Sequence, residues 1–240
     1  MKDDFLTMVS HELRTPLTGI KSAAEILQVY DDIDDETQAR FITMINGECD
    51  RLTRMINDVL DLSRIESGKE QWHMTSVSIA EVIETAVDSA QVLIDQKRLS
   101  LDLEVEPDVT TVWGDSDKLV QVMTNILGNA IKFTPNDGNI EIKTKSAPGT
   151  GVEDALLVRV SVTDTGIGIS SEDYNEVFDK FKQVSDTQSD RPRGTGLGLP
   201  ICNEIIKYLG GQMSLESELG KGSTFSFTLP TEAKAGAEAR

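Results

Sequence analysis

Arg64-Ile65-Glu66-Ser67-Gly68-Lys69 decides the fold, because the hydrophobic rhythm differs on its two sides. Upstream, from Phe5 to about Ser67, apolar residues recur at spacings of three and four, with no strand signal. One stripe runs Leu6, Val9, Leu13, Leu17, Ile20, Ala24 and Leu27. After the acidic turn Asp31-Asp32-Ile33-Asp34-Asp35, a second runs Phe41, Ile45, Cys49, Leu52, Ile56 and Val59. Both fit coiled-coil-like seams, and so short a turn makes the two helices antiparallel neighbours. Two helices alone bury too little apolar surface to stand. The expected solution is a homodimer that closes the hairpin into a four-helix bundle. Ser67-Gly68 then ends the second helix.

Downstream the texture changes. Alternating segments at 99–105, 139–144, 156–162, 212–216 and 224–229 are interleaved with helical patterns at 79–96, 118–133 and 199–209. That predicts an α+β multidomain chain: a helical hairpin followed by an α/β sandwich, in which helices cover one face of a mixed sheet. The polar stretch 169–194 is long for a loop in a compact domain, and such loops are usually functional. The Ala/Glu/Lys tail 232–240 is expected to be disordered.

Bulk composition narrows the function. The 240 residues are 38% hydrophobic and carry a net charge of −18. No apolar run approaches the roughly 18–20 residues that span a bilayer, and no signal segment opens the chain. A helical pattern already under way at Phe5 suits an excised fragment, attached to a membrane only through segments outside it. So acidic a surface repels nucleic acid, and an anionic substrate would need Mg²⁺ and a local cradle. Cys49 and Cys202 both fall in helical apolar patterns, as small hydrophobes of a reducing, cytoplasmic compartment.

Four clusters carry chemistry. In Ser10-His11-Glu12-Leu13-Arg14-Thr15-Pro16-Leu17, His11 lies off the seam and faces solvent. Glu12 could take a proton from its Nδ1 and leave Nε2 as a nucleophile. Pro16 lacks an N–H and crowds the Glu12 carbonyl, which should bend the helix beside His11. In the helix of 118–133, Asn125 and Asn129 are four apart and share a face. Their amide oxygens suit the oxygen shell of Mg²⁺, and Lys132 one turn on suits phosphate. Two glycine clusters follow. Asp164-Thr165-Gly166-Ile167-Gly168 ends a strand, where Asp164 could accept from an adenine amine. Arg193-Gly194-Thr195-Gly196-Leu197-Gly198-Leu199 opens a helix whose free N–H groups face an anion. Neither has the spacing of a dinucleotide fingerprint or a P-loop. Phe178 and Phe181, between the clusters, suit core pinning.

In this order, over essentially the whole chain from Phe5 to about Pro230, the segments resemble the H, N, F and two G boxes of sensor histidine kinases. The resemblance implies a dimerisation and phosphotransfer domain at 1–68, a linker at 69–75 and a GHKL-type ATP-binding domain at 76–231. It makes His11 the phosphoacceptor and Glu12 its base, with Thr15 positioning water for a phosphatase reaction. Asn125 and Asn129 would hold Mg²⁺ and phosphates, with Lys132 on phosphate oxygens and Phe133 stacking on nucleotide. Phe133 stands where the family often has a tyrosine. Asp164 would read adenine beside Gly166 and Gly168, and Thr224 would support that end. Gly194, Thr195, Gly196, Leu197 and Gly198 would close the phosphate cradle, under a lid at 170–194. The implied partner is the receiver domain of a response regulator, and the implied hinge lies near 68–75. The rivals are a GHKL ATPase that activates water with a carboxylate, and a catalytically silent dimeric scaffold.

Overall fold

The computed structural model describes residues 2–30, 32–106, 111–148, 156–174, 176–182 and 194–231. The 183–193 part of the expected lid and the tail from 232 lie outside the described residues.

Two long helices open the chain, α1 (Lys2–Val29) and α2 (Asp35–Glu66). Asp34 caps α2, accepting from the Thr37 backbone N–H and hydroxyl, each at 2.8 Å. Those bonds hold its exposed carboxyl below the usual carboxylate range. α1 continues through Pro16, which is buried. The seam within the hairpin is offset from the expected stripes. Ala23 and Met55 are fully buried, whereas Leu17 is 59% and Ile56 47% exposed. Ala24 is exposed, and so is Cys49, contrary to its expected packing. A 3.6-residue period drifts against a strict heptad, so a stripe read from spacing mixes the face toward α2 with its flank.

The end of the hairpin merges with the C-terminal core. Leu62 and Ile65 belong to the same apolar cluster as that core, with Val59 packed on it. The Lys69 N–H closes onto Arg64 O at 3.0 Å and Gly68 N–H onto Ile65 O at 3.1 Å, which ends α2.

Strand β1 (Thr75–Ser78) pairs antiparallel with β3 (Thr111–Gly114), a two-stranded ribbon that the sequence reading did not anticipate. The main sheet contains β2 (Ser100–Val105), β4 (Asn139–Pro148), β5 (Leu156–Asp164), β6 (Gln212–Glu218) and β7 (Gly222–Pro230). Its order is β2-β4-β5-β7-β6, parallel only between β2 and β4. Helices α3 (Ile79–Lys97), α4 (Ser116–Phe133) and α5 (Gly198–Tyr208) supply its cover. Ile140, Ile142, Val158, Val160, Val162, Phe225 and Phe227 alternate along the strands into one core with Met123, Ile126, Ile201 and Ile205. The other face is polar: Ser226 bonds Ser161 at 2.9 Å, and the Thr163 and Thr224 hydroxyls meet at 3.0 Å.

Two contacts fix α4, the helix carrying Asn125 and Asn129. Asp115 caps its start, accepting the Lys118 N–H at 3.2 Å. At its end the Lys97 ammonium donates to the carbonyls of Ile131, Lys132 and Thr134 at 2.6, 3.0 and 2.8 Å. A cation there satisfies carbonyls that the helix leaves open and complements its dipole.

The connection between hairpin and sheet is fastened to the sheet domain. The Glu70 carboxylate lies 2.7 Å from Lys118 Nζ. Trp72 stacks on Tyr208 with ring centroids 3.8 Å apart, and the His73 N–H donates to Asp115 Oδ2 at 2.8 Å. Glu70, Trp72 and His73, which lie in the expected hinge, are therefore tied to α4, to its cap and to α5. No helix among the described residues is long and apolar enough to cross a membrane.

Candidate functional site

His11 is 73% exposed on α1, and its Nδ1 lies 3.6 Å from Glu12 Oε1. The other ring nitrogen is thus left for chemistry on the solvent side. Thr15, one turn further, is exposed as well.

The second group of residues converges between α4, the end of β5 and the start of α5. Asn125 and Asn129 are both half-buried. A β-carbon at Gly198 would lie 3.5 Å from the Asn125 amide, so the start of α5 rests directly on that side chain. Cys202, one turn into α5, donates to the Val122 carbonyl at 3.8 Å, and burial pushes its thiol up to about 12. It is a neutral packing group between α4 and α5. Lys132 reaches back across the pocket: its Nζ is 4.8 Å from the Phe133 ring centroid and would lie 3.5 Å from a β-carbon at Gly194. Gly196 has φ +70, and its carbonyl accepts from the Phe181 N–H at 2.9 Å. A β-carbon there would meet the Phe181 backbone at 2.9 Å, so glycine is required. Phe178 and Phe181 pack on the core, as expected.

Among the described residues, no side chain caps the start of α5 at Leu197, which is fully buried. The first N–H groups of that helix are open to an anion. Thr195 shapes the approach: its Oγ1 accepts the Leu197 N–H at 3.3 Å and donates to Asp58 Oδ2 at 2.7 Å. Asp58 belongs to α2. Burial raises its carboxyl above the ordinary range, against the Thr195 bond that lowers it.

At the far end Asp164 is buried, and burial raises its carboxyl too. It accepts the Gly166 N–H at 2.7 Å and a backbone N–H from Ser223. Gly168, with φ +68, packs on Glu218 so closely that a β-carbon would fall 2.0 Å from its carbonyl oxygen. Thr224 is placed differently from the expectation. Residues alternate across β7, so Thr224 turns to Thr163 on the opposite face while Ser223 is the Asp164 neighbour. Sequence reasoning missed Asp58 and Ser223. An acidic residue on an acidic helix carries no local sign of a contact 137 positions away, whereas strand alternation from Phe225 could have found Ser223.

The sheet domain thus sets a buried acceptor at one end and an ammonium with open helix N–H groups at the other, and it is joined to a helical hairpin that carries an exposed histidine beside a carboxylate. Comparison with known families agrees. Residues 1–68 match the model for the "His Kinase A (phospho-acceptor) domain". Residues 114–233 match that for the "Histidine kinase-, DNA gyrase B-, and HSP90-like ATPase". The chain belongs to the sensor histidine kinase family. It is 40% identical over 237 residues to Drug sensory protein A of Synechocystis, covering 95% of this chain and 35% of that protein. Three curated relatives are matched over 35%, 11% and 36% of their length, so this chain spans only a part of them. Among solved structures, histidine kinase ThkA in complex with response regulator protein TrrA is similar at a TM-score of 0.73 and 25% identity, over 95% of this chain and 61% of that one. Full-length ShkA in complex with AMPPNP is similar at 0.67 and 27% identity, over 97% and 47%.

Proposed function

We propose that this chain binds Mg-ATP in the α4–β5–α5 pocket, phosphorylates its own His11 and passes the phosphoryl group to an aspartate of a response-regulator receiver domain. The observation that carries the reading is the His11–Glu12 pair, Nδ1 to Oε1 at 3.6 Å, on the same chain as the nucleotide cradle. Asp164 accepts the adenine amine, with Gly166 and Gly168 forming the turn beside the base. The Phe133 ring flanks the nucleotide. Lys132 and the open N–H groups at the start of α5 take the phosphates, with the glycines from Gly194 to Gly198 letting the backbone come close. The uncharged side chains of Asn125, on which Gly198 rests, and Asn129, one turn further, fit Mg²⁺; among the described residues no cluster of three or more His, Cys, Asp or Glu is arranged to hold a metal. Bound there, the ion neutralises phosphate charge.

For the transfer, Glu12 takes the Nδ1 proton as the Nε2 lone pair attacks the γ-phosphorus. The bond to the β-phosphate oxygen breaks and its electron pair leaves with ADP. The product is a phosphoramidate, energetic enough to donate to a carboxylate. Thr15 stands where it can orient a water for hydrolysis of the aspartyl phosphate on the regulator. ThkA was solved with a response regulator and ShkA with AMPPNP, which supports both partners of the reaction. Leu17, Ile42, Met44, Ile56 and Leu60 are each 44–59% exposed outside the hairpin seam, which supports homodimerisation through the hairpin. A pocket that uses ATP and free thiols supports a cytoplasmic setting. The domain limits we assign are 1–68 for the phosphotransfer hairpin and 76–231 for the ATP-binding domain, with movement at Gly68-Lys69. The direct test is ATP affinity with and without Mg²⁺: removing the ion should weaken binding about 10-fold or more. Equal affinities would count against the asparagine site.

Asp58 gives the docked arrangement a regulatory sense. It occupies the Thr195 hydroxyl and sets a carboxylate beside the phosphate site. Glu12 faces α2 at Arg51, so Asp58 is seven residues, or about 10 Å, further along the helix. Phosphoryl transfer then requires the ATP domain to leave this contact. Asp58→Ala is expected to raise ATP affinity and autophosphorylation about 3–5-fold. Because docking raises the Asp58 carboxyl, the docked form holds its proton more tightly than the undocked form. Docking therefore strengthens below that raised titration and weakens as pH rises through it. Small-angle scattering along a series of rising pH that starts in the ordinary carboxylate range, about pH 4, should show expansion in the parent chain only. The same expansion in Asp58→Ala would contradict this.

A further inference from the structure

Between the exposed phosphoacceptor and the hairpin seam lies a chain of charges that takes no direct part in the transfer. Glu12 presents one oxygen to each side: Oε1 lies 3.6 Å from His11 Nδ1, and Oε2 lies 3.9 Å from an Arg51 terminal nitrogen across the hairpin. The other terminal nitrogen of Arg51 is 3.6 Å from Glu48 Oε2. Burial rises along this line. His11 is 73% exposed, Glu12 30%, and Arg51 only 12%. Arg51 Nε and Glu48 Oε2 are buried without a hydrogen bond. A guanidinium sunk into a helical seam is costly, and an apolar residue of similar volume would serve packing as well or better. Cross-seam packing alone therefore does not account for it. What its position does account for is the carboxylate beside the histidine.

We propose that Arg51 is a positioning residue for autophosphorylation. The proposal rests on the reading of His11 as phosphoacceptor and Glu12 as its base. Glu12 has three rotatable bonds on the surface of α1 and, left alone, would sample rotamers in which neither oxygen faces Nδ1. The positive charge of Arg51 draws Oε2 toward α2, which turns Oε1 to the imidazole. Glu48 holds the guanidinium from behind, so the orientation of Glu12 is set by the second helix of the hairpin. Among the described groups facing Glu12, His11 comes from its own helix and Arg51 from α2, with Glu48 behind Arg51. Arg51 touches neither nucleotide nor the transferred group. Its effect should fall on the rate of transfer and leave ATP binding alone.

The test is a four-way comparison on the chain itself: the parent, Arg51→Met, Glu12→Gln and the double variant, each followed by transfer of label from γ-labelled ATP. Arg51→Met should lower kcat about 10-fold or more with KM for ATP within two-fold of the parent. Arg51→Lys, which keeps the charge, should recover at least a third of the lost rate. In the Glu12→Gln background, Arg51→Met should change the residual rate by less than two-fold, since no carboxylate remains to be oriented. A parent-like kcat in Arg51→Met overturns the proposal. So does an equal drop in both backgrounds, or no rescue by lysine, because these mark a structural role. Should Arg51→Met unfold, judged by helical circular dichroism, Arg51→Gln carries the same comparison. A parent chain that takes up no label on His11 overturns the kinase reading and this proposal together. A labelled parent with unchanged Arg51→Met kinetics overturns only this one.

Discussion

Replacing Asp164 with alanine is expected to cost at least about 100-fold in ATP affinity, because one buried carboxylate does two jobs. It accepts the Gly166 N–H and a Ser223 N–H, which shapes the turn after β5, and in the proposed pocket it offers the remaining lone pairs to the adenine amine. Alanine removes the base contact and leaves two backbone donors unsatisfied in a buried place. Asp164→Asn separates the two roles. The amide keeps one acceptor oxygen for the turn but adds a donor where adenine presents its amine. Binding should fall about 10-fold, and the preference for ATP over GTP should narrow, since guanine carries an acceptor at the matching position. Titration with both nucleotides gives the result. An Asp164→Asn chain that kept full ATP affinity and selectivity would remove Asp164 from adenine recognition. Burial has raised this carboxyl, so ATP binding should also weaken on acidification sooner than for an ordinary exposed aspartate.

Glu12→Gln should lower the rate of His11 phosphorylation about 10²–10³-fold while leaving ATP affinity within two-fold. Glutamine can still hydrogen-bond Nδ1, yet it cannot accept the proton that Nδ1 must lose as Nε2 bonds to phosphorus. The split between rate and affinity follows from position. Glu12 sits on α1, whereas the residues proposed to hold nucleotide come from α4, β5 and the start of α5. Rapid-quench labelling beside equilibrium nucleotide binding measures both. A variant with a normal rate would show that another group takes the proton. A variant with lost affinity would show that the substitution disturbed the docked domain instead.

Much of this arrangement was legible in the residues because its patterns are local. The five strands of the main sheet and α3 to α5 announced themselves by period, and their observed ends differ by a few residues at most. The β1–β3 ribbon escaped notice because four-residue strands contain too little alternation to register. The hairpin was plain as a pair of helices, yet its seam was misplaced by one position at Ala23 and Met55, since apolar residues also occupy the flank. At the site, His11, Asn125, Asp164 and the glycine loops stood out because their chemistry is unusual in its local setting. Relations between distant segments did not. Arg51 beneath Glu12, Asp58 on Thr195 and Ser223 beside Asp164 are products of the packed chain, and residue types alone are silent about them. The connection between hairpin and sheet shows the same limit: Gly68 marks the break in sequence, but the contacts of Glu70, Trp72 and His73 with the sheet domain appear only in the packed chain.

The central claim is that His11 receives the γ-phosphoryl group of ATP, and the chemical stability of the product tests it most directly. The chain and its His11→Gln variant are incubated with Mg²⁺ and γ-labelled ATP, and the bound label is then exposed to acid and to alkali. A phosphoramidate survives alkali and is lost in acid, so the account predicts an alkali-stable, acid-labile label on the parent chain and none on His11→Gln. A label that survives acid, or one that persists undiminished in His11→Gln, would contradict it.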